Sequence, residues 1–409
     1  MLAIGYFEAI DSQRGIAWRC DDSLSLRRFL GIPLKENTPD HSSLTRIRDR
    51  LSLEVHEEIF RYILFVIEQH GLLNGKTVGV DSTFLEANAA MKSIVRKDNG
   101  DNWKAYLKRL MVADGVIKDD DEPTDDDLRK FDQDRKKQGK KTVSNDEWQS
   151  ASDPDSRIVK MKDGRTHLGY KAEHVVDLET EIILAATVYH GTDNDAATLV
   201  QSVMNAQAQL DEAGIAIAIE EVAADKGYHA NATLAACKEL GLRTYIPERK
   251  SRYQRTWTKK PSQHKQAFYH NRQRMNRDKG RKLQRLRSER VERSFAHICE
   301  TGGQRRTWLR GLEKINKRYL LSVAARNLGI LMRTLFGIGT PRSLQGARRA
   351  FAALFSTMKT LWQRLKTHSE SYLAALTENF AIRTAAEINR ASHFGRSSQP
   401  TNPAISTGC

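Results

Sequence analysis

The sequence predicts a mixed α/β fold in which an all-α N-terminal region precedes a sheet with flanking helices. In the first 75 positions apolar residues recur at helical spacing, as at Ile59, Ile63 and Val66. Beyond position 75, short β-branched segments come first as a group and then alternate with helical segments. That order is typical of a mixed sheet covered by helices.

The N-terminal region contains three predicted helical segments. The first is a short apolar and basic stretch from Leu24 to Leu30. Ser42 and Ser43 can cap a second helix that runs to Leu51. The longest segment follows from Val55 to His70, where a glycine comes next and can end the helix.

The sheet-forming part begins at Lys76, where the residue pattern changes from helical to alternating. Strands are predicted over Lys76–Thr83, Arg157–Met161, His167–Val176, Ile182–Tyr189, Glu221–Ala224 and Leu242–Ile246. Helices are predicted over Asp195–Leu210 and Asn231–Leu240, the second ending before a glycine.

An acidic insertion over residues 101 to 150 interrupts this pattern. Between Asp114 and Asp134 there are ten acidic residues and three basic ones, with no apolar period. A segment of that composition buries too little apolar surface to order itself, so we expect a mobile, solvated insertion.

The net charge of +15, with a pI near 9.6, indicates a polyanionic partner such as nucleic acid. Arg249 to Arg290 alone holds sixteen Lys or Arg and two acids, which is 16 − 2 = +14. Tyr253, Trp257 and Phe268 lie among these basic residues and could stack on unpaired bases. A disordered basic linker that attracts DNA without order is the alternative.

The four cysteines are far apart and form no CxxC pair, which argues against a zinc ribbon and against a disulfide framework. The first twenty residues include Glu8, Asp11 and Arg14, so they do not have the apolar region of a signal peptide. We therefore expect a cytoplasmic protein that associates with the nucleoid when it binds DNA.

Three carboxylates are candidates for catalytic residues because of the elements on which they lie. Asp81 lies at the C-terminal end of one predicted strand and Asp225 at the end of a later one, and binding sites of open α/β sheets lie at the carboxyl ends of strands. Glu292 lies in a basic predicted helix. Each residue could instead have a purely structural role. Asp81 could cap a helix near Thr83, Asp225 could be a turn residue, and Glu292 could be a solvated surface residue.

A second glutamate, Glu289, lies on the same predicted helix. At 100° per residue, Val291, Phe295 and Ile298 define one apolar stripe. Glu292 is about 90° from the centre of this stripe and Glu289 about 150° away. The pattern therefore favours Glu292 as the residue that can reach the strand ends.

The motifs around these carboxylates resemble those of the DDE transposases of bacterial insertion sequences, in the branch with an α-helical N-terminal domain. The fairly specific one is Ala224-Asp225-Lys226-Gly227-Tyr228, which looks like the second-Asp motif. Further matching segments are Ser25–Leu51, Val80–Thr83, Leu168–Lys171, Val175–Asp177, Thr192–Asp195, Arg290–Phe295, Arg305–Arg306 and Asn327–Leu328. Together they span about residues 1 to 335.

Two positions depart from the pattern of many relatives. Ser288 stands where they carry Arg four residues before the Glu, and Cys299 stands where they carry Lys seven residues after it. In the family these groups are associated with handling the transferred DNA end. The resemblance therefore does not extend to a hairpin-forming pathway.

The resemblance implies a ribonuclease H-like catalytic domain over residues 76 to 337, which contains the insertion at about 101–150 and the basic segment 249–290. Residues 1 to 75 would form the helical domain, which could bind the DNA end, pair two protomers or serve only as a packing bundle. Residues 338 to 409 would form a helical or disordered tail.

The resemblance also implies the chemistry. Asp81, Asp225 and Glu292 would hold two Mg²⁺ ions, for which Mn²⁺ would substitute, because carboxylate oxygens are the ligands that these ions prefer. Two ions can activate a water and stabilise the leaving 3′ oxygen, so cleavage of DNA ends and strand transfer need no covalent enzyme intermediate.

The implied partners are the terminal inverted repeats, the target DNA and at least one further copy of the chain. The residues expected to contact DNA are Lys226, Arg249, Lys250, Arg252, Lys259, Lys260, Lys265, Arg287, Arg290, Arg293, Arg305 and Arg306. Two other functions stay open: a metal-dependent nuclease on the same scaffold, and a catalytically inactive DNA-binding protein derived from a transposase.

Overall fold

A six-stranded sheet forms the centre of the computed structural model, which describes residues 1–139, 144–161, 163–250 and 255–339. In these residues the strands are β1 (Thr77–Glu86), β2 (Ile94–Arg96), β3 (Trp148–Ser150), β4 (Arg157–Lys160), β5 (Thr166–Asp177), β6 (Ile183–His190), β7 (Glu221–Ala224) and β8 (Arg243–Tyr245). β2 and β3 pair with each other as a separate ribbon.

The sheet is mixed, with both parallel and antiparallel pairs of strands. β1 lies in the middle, antiparallel to β5 on one side and parallel to β7 on the other. β8 extends the sheet parallel to β7, while β4 and β6 both pair antiparallel with the far side of β5. The predicted mixed α/β fold is therefore confirmed: β1, β4, β5 and β6 are joined by antiparallel pairs, and β7 and β8 extend the sheet in parallel.

Helices flank this sheet and precede it. In the described residues they are α1 (Leu2–Glu8), α2 (Gln13–Asp22), α3 (Leu24–Phe29), α4 (His41–Arg50), α5 (Leu53–Gln69), α6 (Trp103–Ala113), α7 (Asp125–Lys137), α8 (Asp195–Glu212), α9 (Asn231–Glu239), α10 (Ser262–Met275), α11 (Asp278–Phe295) and α12 (Leu312–Phe336). The predicted tail over 338–409 lies outside the described residues from position 340 onward.

The two faces of the sheet carry different helices. Side chains alternate along a strand, so Glu173 and His174 of β5 point to opposite faces. α8 covers the Glu173 face. On the other face His174 is hydrogen-bonded to Ser294 of α11 (2.8 Å) and Tyr319 of α12 (2.7 Å). Burial lowers the pKa of His174 well below its ordinary value, so the imidazole joins these elements as a neutral group.

The N-terminal helices form the helical region that the sequence predicts, and they pack on the sheet domain through α5 and α12. One detail of the prediction is wrong. Asp40, and not Ser42 or Ser43, caps α4, because its carboxylate accepts a hydrogen bond from the Ser43 backbone N–H (2.7 Å). No helix in the described part of the chain has the length and apolar character needed to cross a membrane.

The acidic insertion is folded over most of its described length, so the expectation of a mobile segment is wrong. α6 and α7 pack against each other through Leu107, Met111 and Leu128, which are all buried. Many of the acids belong to the helix itself: three aspartates fill the first turn of α7, behind a Thr124 capping box. Carboxylates in the first turn interact favourably with the helix dipole and stabilise the helix. A high count of acidic residues therefore does not exclude a helix here.

Candidate active site

The sequence pattern places Asp81 at the C-terminal end of its strand, but in the structure Asp81 lies in the middle of β1. The strand continues to Glu86, which pairs with Gly169 of β5. Thr83, the proposed start of a helix, is therefore a strand residue, and a helix-capping role for Asp81 is wrong. The strand is longer than predicted because its pairing with β5 extends beyond Thr83 to Glu86.

Asp225 follows β7 directly, as the sequence predicts. Val80 and Ala224 are partners in the parallel β1–β7 ladder, so Asp81 and Asp225 are the next residues on two adjacent strands. Asp225 also begins a single 3₁₀ turn over Lys226–Tyr228, and its Oδ1 accepts a hydrogen bond from the Gly227 N–H (2.6 Å). The sheet therefore brings the two aspartates together at one point.

The electrostatics at Asp81 reflect partial burial beside a like charge. Its side chain keeps 23% of its area exposed and forms an ion pair with Arg287 of α11 (2.6 Å). Burial raises the pKa of Asp81, the Arg287 guanidinium opposes that rise, and the nearby Asp225 carboxylate adds to it. Arg287, which the sequence suggests as a DNA contact, is directed at this carboxylate instead.

Glu292 lies on α11, which crosses the sheet face that carries Asp81. Val291 packs at Gly79, where a Cβ atom would come within 2.9 Å of Val291 Cγ2. The Glu292 side chain is exposed and accepts a hydrogen bond from Ser288 Oγ (3.0 Å). In the described residues no group of three or more His, Cys, Asp or Glu side chains is arranged to hold a metal ion.

The apolar stripe that favoured Glu292 over Glu289 lies only partly on a regular α-helix. Val291, Phe295 and Ile298 are all buried, as predicted. However, the α-helix ends at Phe295 and continues as a π-helical segment over Ala296–Thr301, so an angle of 100° per residue does not apply there. Glu289 is exposed and forms an ion pair with Arg293 (2.8 Å).

The pair of aspartates suits a divalent cation. Mg²⁺ takes hard oxygen ligands and usually binds through one or two protein carboxylates, waters and substrate phosphates. Asp81 and Asp225 supply that number of carboxylates from neighbouring strands. The two aspartates therefore fit such an ion, and Glu292 is the residue after Val291, which contacts Gly79.

A buried polar network that the sequence patterns did not indicate lies on the opposite sheet face. Glu173 of β5 is buried and accepts hydrogen bonds from Thr198 Oγ1 (2.8 Å), Ser202 Oγ and Tyr228 OH (2.8 Å). Burial raises the pKa of Glu173, and these hydroxyl donors oppose that rise. The available signal was weak: Glu173 is two residues from Lys171 and so shares its strand face.

Lys171 and Asp195 extend this network towards the aspartates. Lys171 Nζ contacts Asp195 Oδ1 (3.2 Å) and lies 3.9 Å from Glu173. Asp195 Oδ1 also accepts a hydrogen bond from the hydroxyl of Ser82 (3.0 Å), the residue after Asp81. Lys171 and Asp195 fall within resembling segments of the sequence, but their mutual contact could not be read from their spacing.

The basic residues expected to contact DNA separate into two groups. The exposed group is Lys226, Arg249, Lys250, Lys259, Lys260 and Lys265. The second group forms ion pairs with carboxylates: Arg287 with Asp81, Arg290 and Arg293 with Glu181, Arg305 with Glu300, and Arg306 with Glu86. Arg252 lies outside the described residues.

Much of the basic segment is helical, which contradicts the alternative of a wholly disordered linker. α10 and α11 cover most of its described residues. Phe268 of α10 is buried and lies beside Trp257 (ring centroids 5.2 Å apart) and beneath the Arg255 and Arg272 guanidinium groups (4.2 and 4.7 Å). Arg249 donates to the Lys226 and Gly227 carbonyls, which joins the start of this segment to the Asp225 turn.

Two family models match the sequence. One, described as "Transposase domain (DUF772)", matches residues 1–50, and the other, described as "Transposase DDE domain", matches residues 126–328. The second range contains Asp225 and Glu292, whereas Asp81 lies between the two ranges.

Among solved structures, the chain is similar to "Mos1 transposase paired-end complex with left transposon end". The identity is 10%, over 71% of this chain and 77% of that chain, and the TM-score is 0.20. A score that low carries no weight for fold or function. No curated protein matches the sequence.

Proposed function

We propose, since this chain belongs to the DDE transposases, that it cleaves DNA at the ends of an insertion sequence and joins those ends to target DNA. The observation that carries the proposal is the placement of Asp81 and Asp225 on adjacent parallel strands, each directly after a paired residue. Family membership supports a transposase, and the site supports the metal-dependent chemistry proposed for it.

The proposed metal ligands are Asp81, Asp225 and Glu292. Two Mg²⁺ ions, or Mn²⁺ in their place, would activate a water or a 3′-hydroxyl and stabilise the leaving oxygen. Asp81 and Asp225 present their carboxylates from neighbouring strands, and Glu292 would complete the set from α11. Arg287 balances the charge of Asp81 until the cations and the DNA phosphates arrive, and it is then free to contact a phosphate.

The proposed partner is DNA, bound as terminal repeats and as target by two or more copies of the chain. Exposed lysines of the segment before and within α10 would contact phosphates. The Asp225 turn is joined to the same segment through Arg249, so DNA held there would lie close to the carboxylates. A cytoplasmic protein that binds the nucleoid follows from this partner.

Purified protein incubated with Mg²⁺ and DNA that carries the flanking inverted repeats tests the function. We expect nicked or excised ends and their joining to a target plasmid, both abolished by EDTA. Cleavage without joining would favour the metal-dependent nuclease. Binding without cleavage at any Mg²⁺ or Mn²⁺ concentration would favour an inactive DNA-binding protein.

Replacing Lys259, Lys260 and Lys265 together by Ala should weaken DNA binding for all sequences alike. For every phosphate that the variant no longer neutralises, the slope of log K against log salt should fall by about one unit. The slope is measured by titration at several salt concentrations. The triple variant Lys118→Ala, Lys130→Ala, Lys136→Ala is the matched control, because it removes the same charge from exposed positions in the acidic insertion.

Equal slopes for the wild-type chain and the Lys259, Lys260 and Lys265 variant would show that this segment lies away from DNA. A control variant whose slope falls by as much would show that only net charge matters, and not its position.

A further inference from the structure

We propose that buried Glu173 and Tyr228 form a positioning pair that holds the Asp225 turn in the geometry required for metal binding. This inference rests on the proposed function of Asp81 and Asp225 as metal ligands. Neither Glu173 nor Tyr228 would touch the metal or the DNA, so both would act only through Asp225.

The Asp225 turn is short and is held at both ends. At its start, Asp225 Oδ1 accepts from the Gly227 N–H, which uses one carboxylate oxygen inside the turn. At its end, Tyr228 is fully buried, and its hydroxyl donates to Glu173 Oε2 (2.8 Å). Since only two residues separate Asp225 from Tyr228, a shift of the tyrosine changes the direction of the aspartate.

Glu173 is fixed more firmly than a single hydrogen bond would fix it. Thr198 and Ser202 of α8 also donate to its carboxylate, and the Lys171 ammonium lies 3.9 Å away. A buried carboxylate is costly unless donors and a counter-charge satisfy it. Here three hydroxyls and a lysine satisfy it, so Glu173 provides a rigid acceptor for the Tyr228 hydroxyl.

The same network also reaches the strand that carries Asp81. Lys171 contacts Asp195, and Asp195 accepts from Ser82, the residue next to Asp81. A Cβ atom on Gly227 would lie 2.9 Å from Asp195 Oδ2 and 2.8 Å from Asp225 Oδ1. Asp195 therefore lies against the Asp225 turn from the α8 side, and the network joins both aspartate-bearing segments.

A packing role alone does not account for the tyrosine hydroxyl. The aromatic ring fills the core by itself, and Phe would fill it equally well. The hydroxyl fixes the orientation of the Asp225 turn, because its hydrogen bond to Glu173 selects one position of the turn relative to β5. Residues that orient metal ligands in this way typically change metal affinity by about 10- to 100-fold when they are removed.

The test is Tyr228→Phe in the full-length chain, bound to pre-cleaved end DNA that lacks the 3′-hydroxyl so that no reaction occurs. Mn²⁺ binding is measured by electron paramagnetic resonance of the free ion. We expect the Kd for Mn²⁺ to rise about tenfold, with DNA affinity unchanged and the cleavage rate of intact ends largely restored at saturating Mn²⁺.

Tyr189→Phe is the matched control. The Tyr189 hydroxyl is hydrogen-bonded to Ser202 Oγ (2.9 Å) in the same network, but Tyr189 lies on β6 and not in the Asp225 turn. It should lower stability and leave Mn²⁺ binding unchanged. An unchanged Kd in Tyr228→Phe, or equal changes in both variants, would overturn the positioning role.

Two further variants keep the outcome decisive. If Tyr228→Phe does not fold, Glu173→Gln replaces it, because Gln keeps the volume and one acceptor and should give a smaller rise in the Kd for Mn²⁺; no rise would overturn the proposal. Asp225→Asn should lose Mn²⁺ binding altogether. If it binds Mn²⁺ as the wild-type chain does, the proposed metal site itself has failed, whatever Tyr228→Phe shows.

Discussion

Replacing Asp81 or Asp225 by Asn is expected to abolish Mg²⁺-dependent cleavage of the DNA ends while leaving DNA binding nearly intact. Asn keeps the shape of the side chain and removes the charged oxygen that a hard cation requires. Loss of residues that only orient metal ligands already costs about 10- to 100-fold, so loss of a ligand should lower the cleavage rate by more than about 100-fold.

DNA binding should survive these substitutions because neither aspartate is a phosphate contact. In a titration without divalent cations, removing a carboxylate near a polyanion reduces repulsion, and in Asp81→Asn the guanidinium of Arg287 loses its partner at 2.6 Å and becomes available to DNA. We therefore expect equal or slightly tighter binding in the electrophoretic titration, together with the loss of cleavage.

Asp163→Asn is the matched control for both variants. Asp163 is an exposed residue in the connection between β4 and β5 that pairs with His167, and it belongs to neither of the two segments that carry Asp81 and Asp225. This variant should cleave at the wild-type rate. Retention of even about a tenth of the activity in Asp81→Asn or Asp225→Asn would contradict the assignment, because a metal ligand cannot be lost at so small a cost.

The parts of the fold that the sequence predicts well are those with strong local signals. β6 and β7 alternate or are continuously apolar over their length and are bounded by turn residues, so their limits agree with the structure within a residue. A turn at Asp225, which the sequence leaves open as an alternative, also has a local signal, because Gly227 closely follows a short apolar strand. Such features depend on a few neighbouring residues and not on the rest of the chain.

What the sequence missed depends on contacts between distant residues. The continuation of β1 past Thr83 to Glu86 is set by pairing with β5, whose partner residues lie 83 to 87 positions away in the chain. The folding of α6 against α7 depends on three buried apolar residues and five partly buried ones that pack against them, spread among many charges. Local composition does not record such pairing, which is why the insertion was expected to be mobile.

The sequence predicts Asp81 and Asp225 on two strands, which the structure places next to each other, but it does not predict the electrostatics around them. No pattern indicated that Arg287 would pair with Asp81, or that Glu173 would lie buried under the Asp225 turn. Both contacts join elements that are far apart in sequence, and each uses a residue type that is abundant in this chain. A count of charges therefore gives the partner class, whereas only the three-dimensional arrangement gives the pairing.

Glu292→Gln is expected to stop metal-dependent cleavage, whereas Glu289→Gln should have a small effect. The two glutamates lie three residues apart on α11, so the chemical change is the same and only the helix face differs. Val291 packs at Gly79, two residues before Asp81 on the same sheet face. Glu292 is the residue after Val291 and lies at the border of that packed face.

Glu289 lies on the solvent side of α11, where it pairs with Arg293 one turn later. An exposed pair at this spacing contributes about 0.3–0.5 kcal/mol, so its loss should not reduce cleavage measurably. Glu292, by contrast, accepts a hydrogen bond from the neutral hydroxyl of Ser288, one turn earlier on the helix. A carboxylate held by a neutral donor can turn towards cations bound at Asp81 and Asp225 without breaking an ion pair.

Both variants are measured on one DNA substrate at several Mn²⁺ concentrations, with DNA binding measured in parallel. Glu292→Gln should lose more than about 100-fold of the cleavage rate, and it should keep its affinity for DNA because Glu292 opposes and does not assist phosphate binding. An active Glu292 variant beside an inactive Glu289 variant would reverse the assignment. Activity in both would mean that Asp81 and Asp225 hold the cations with a ligand from elsewhere, such as a phosphate of the DNA itself.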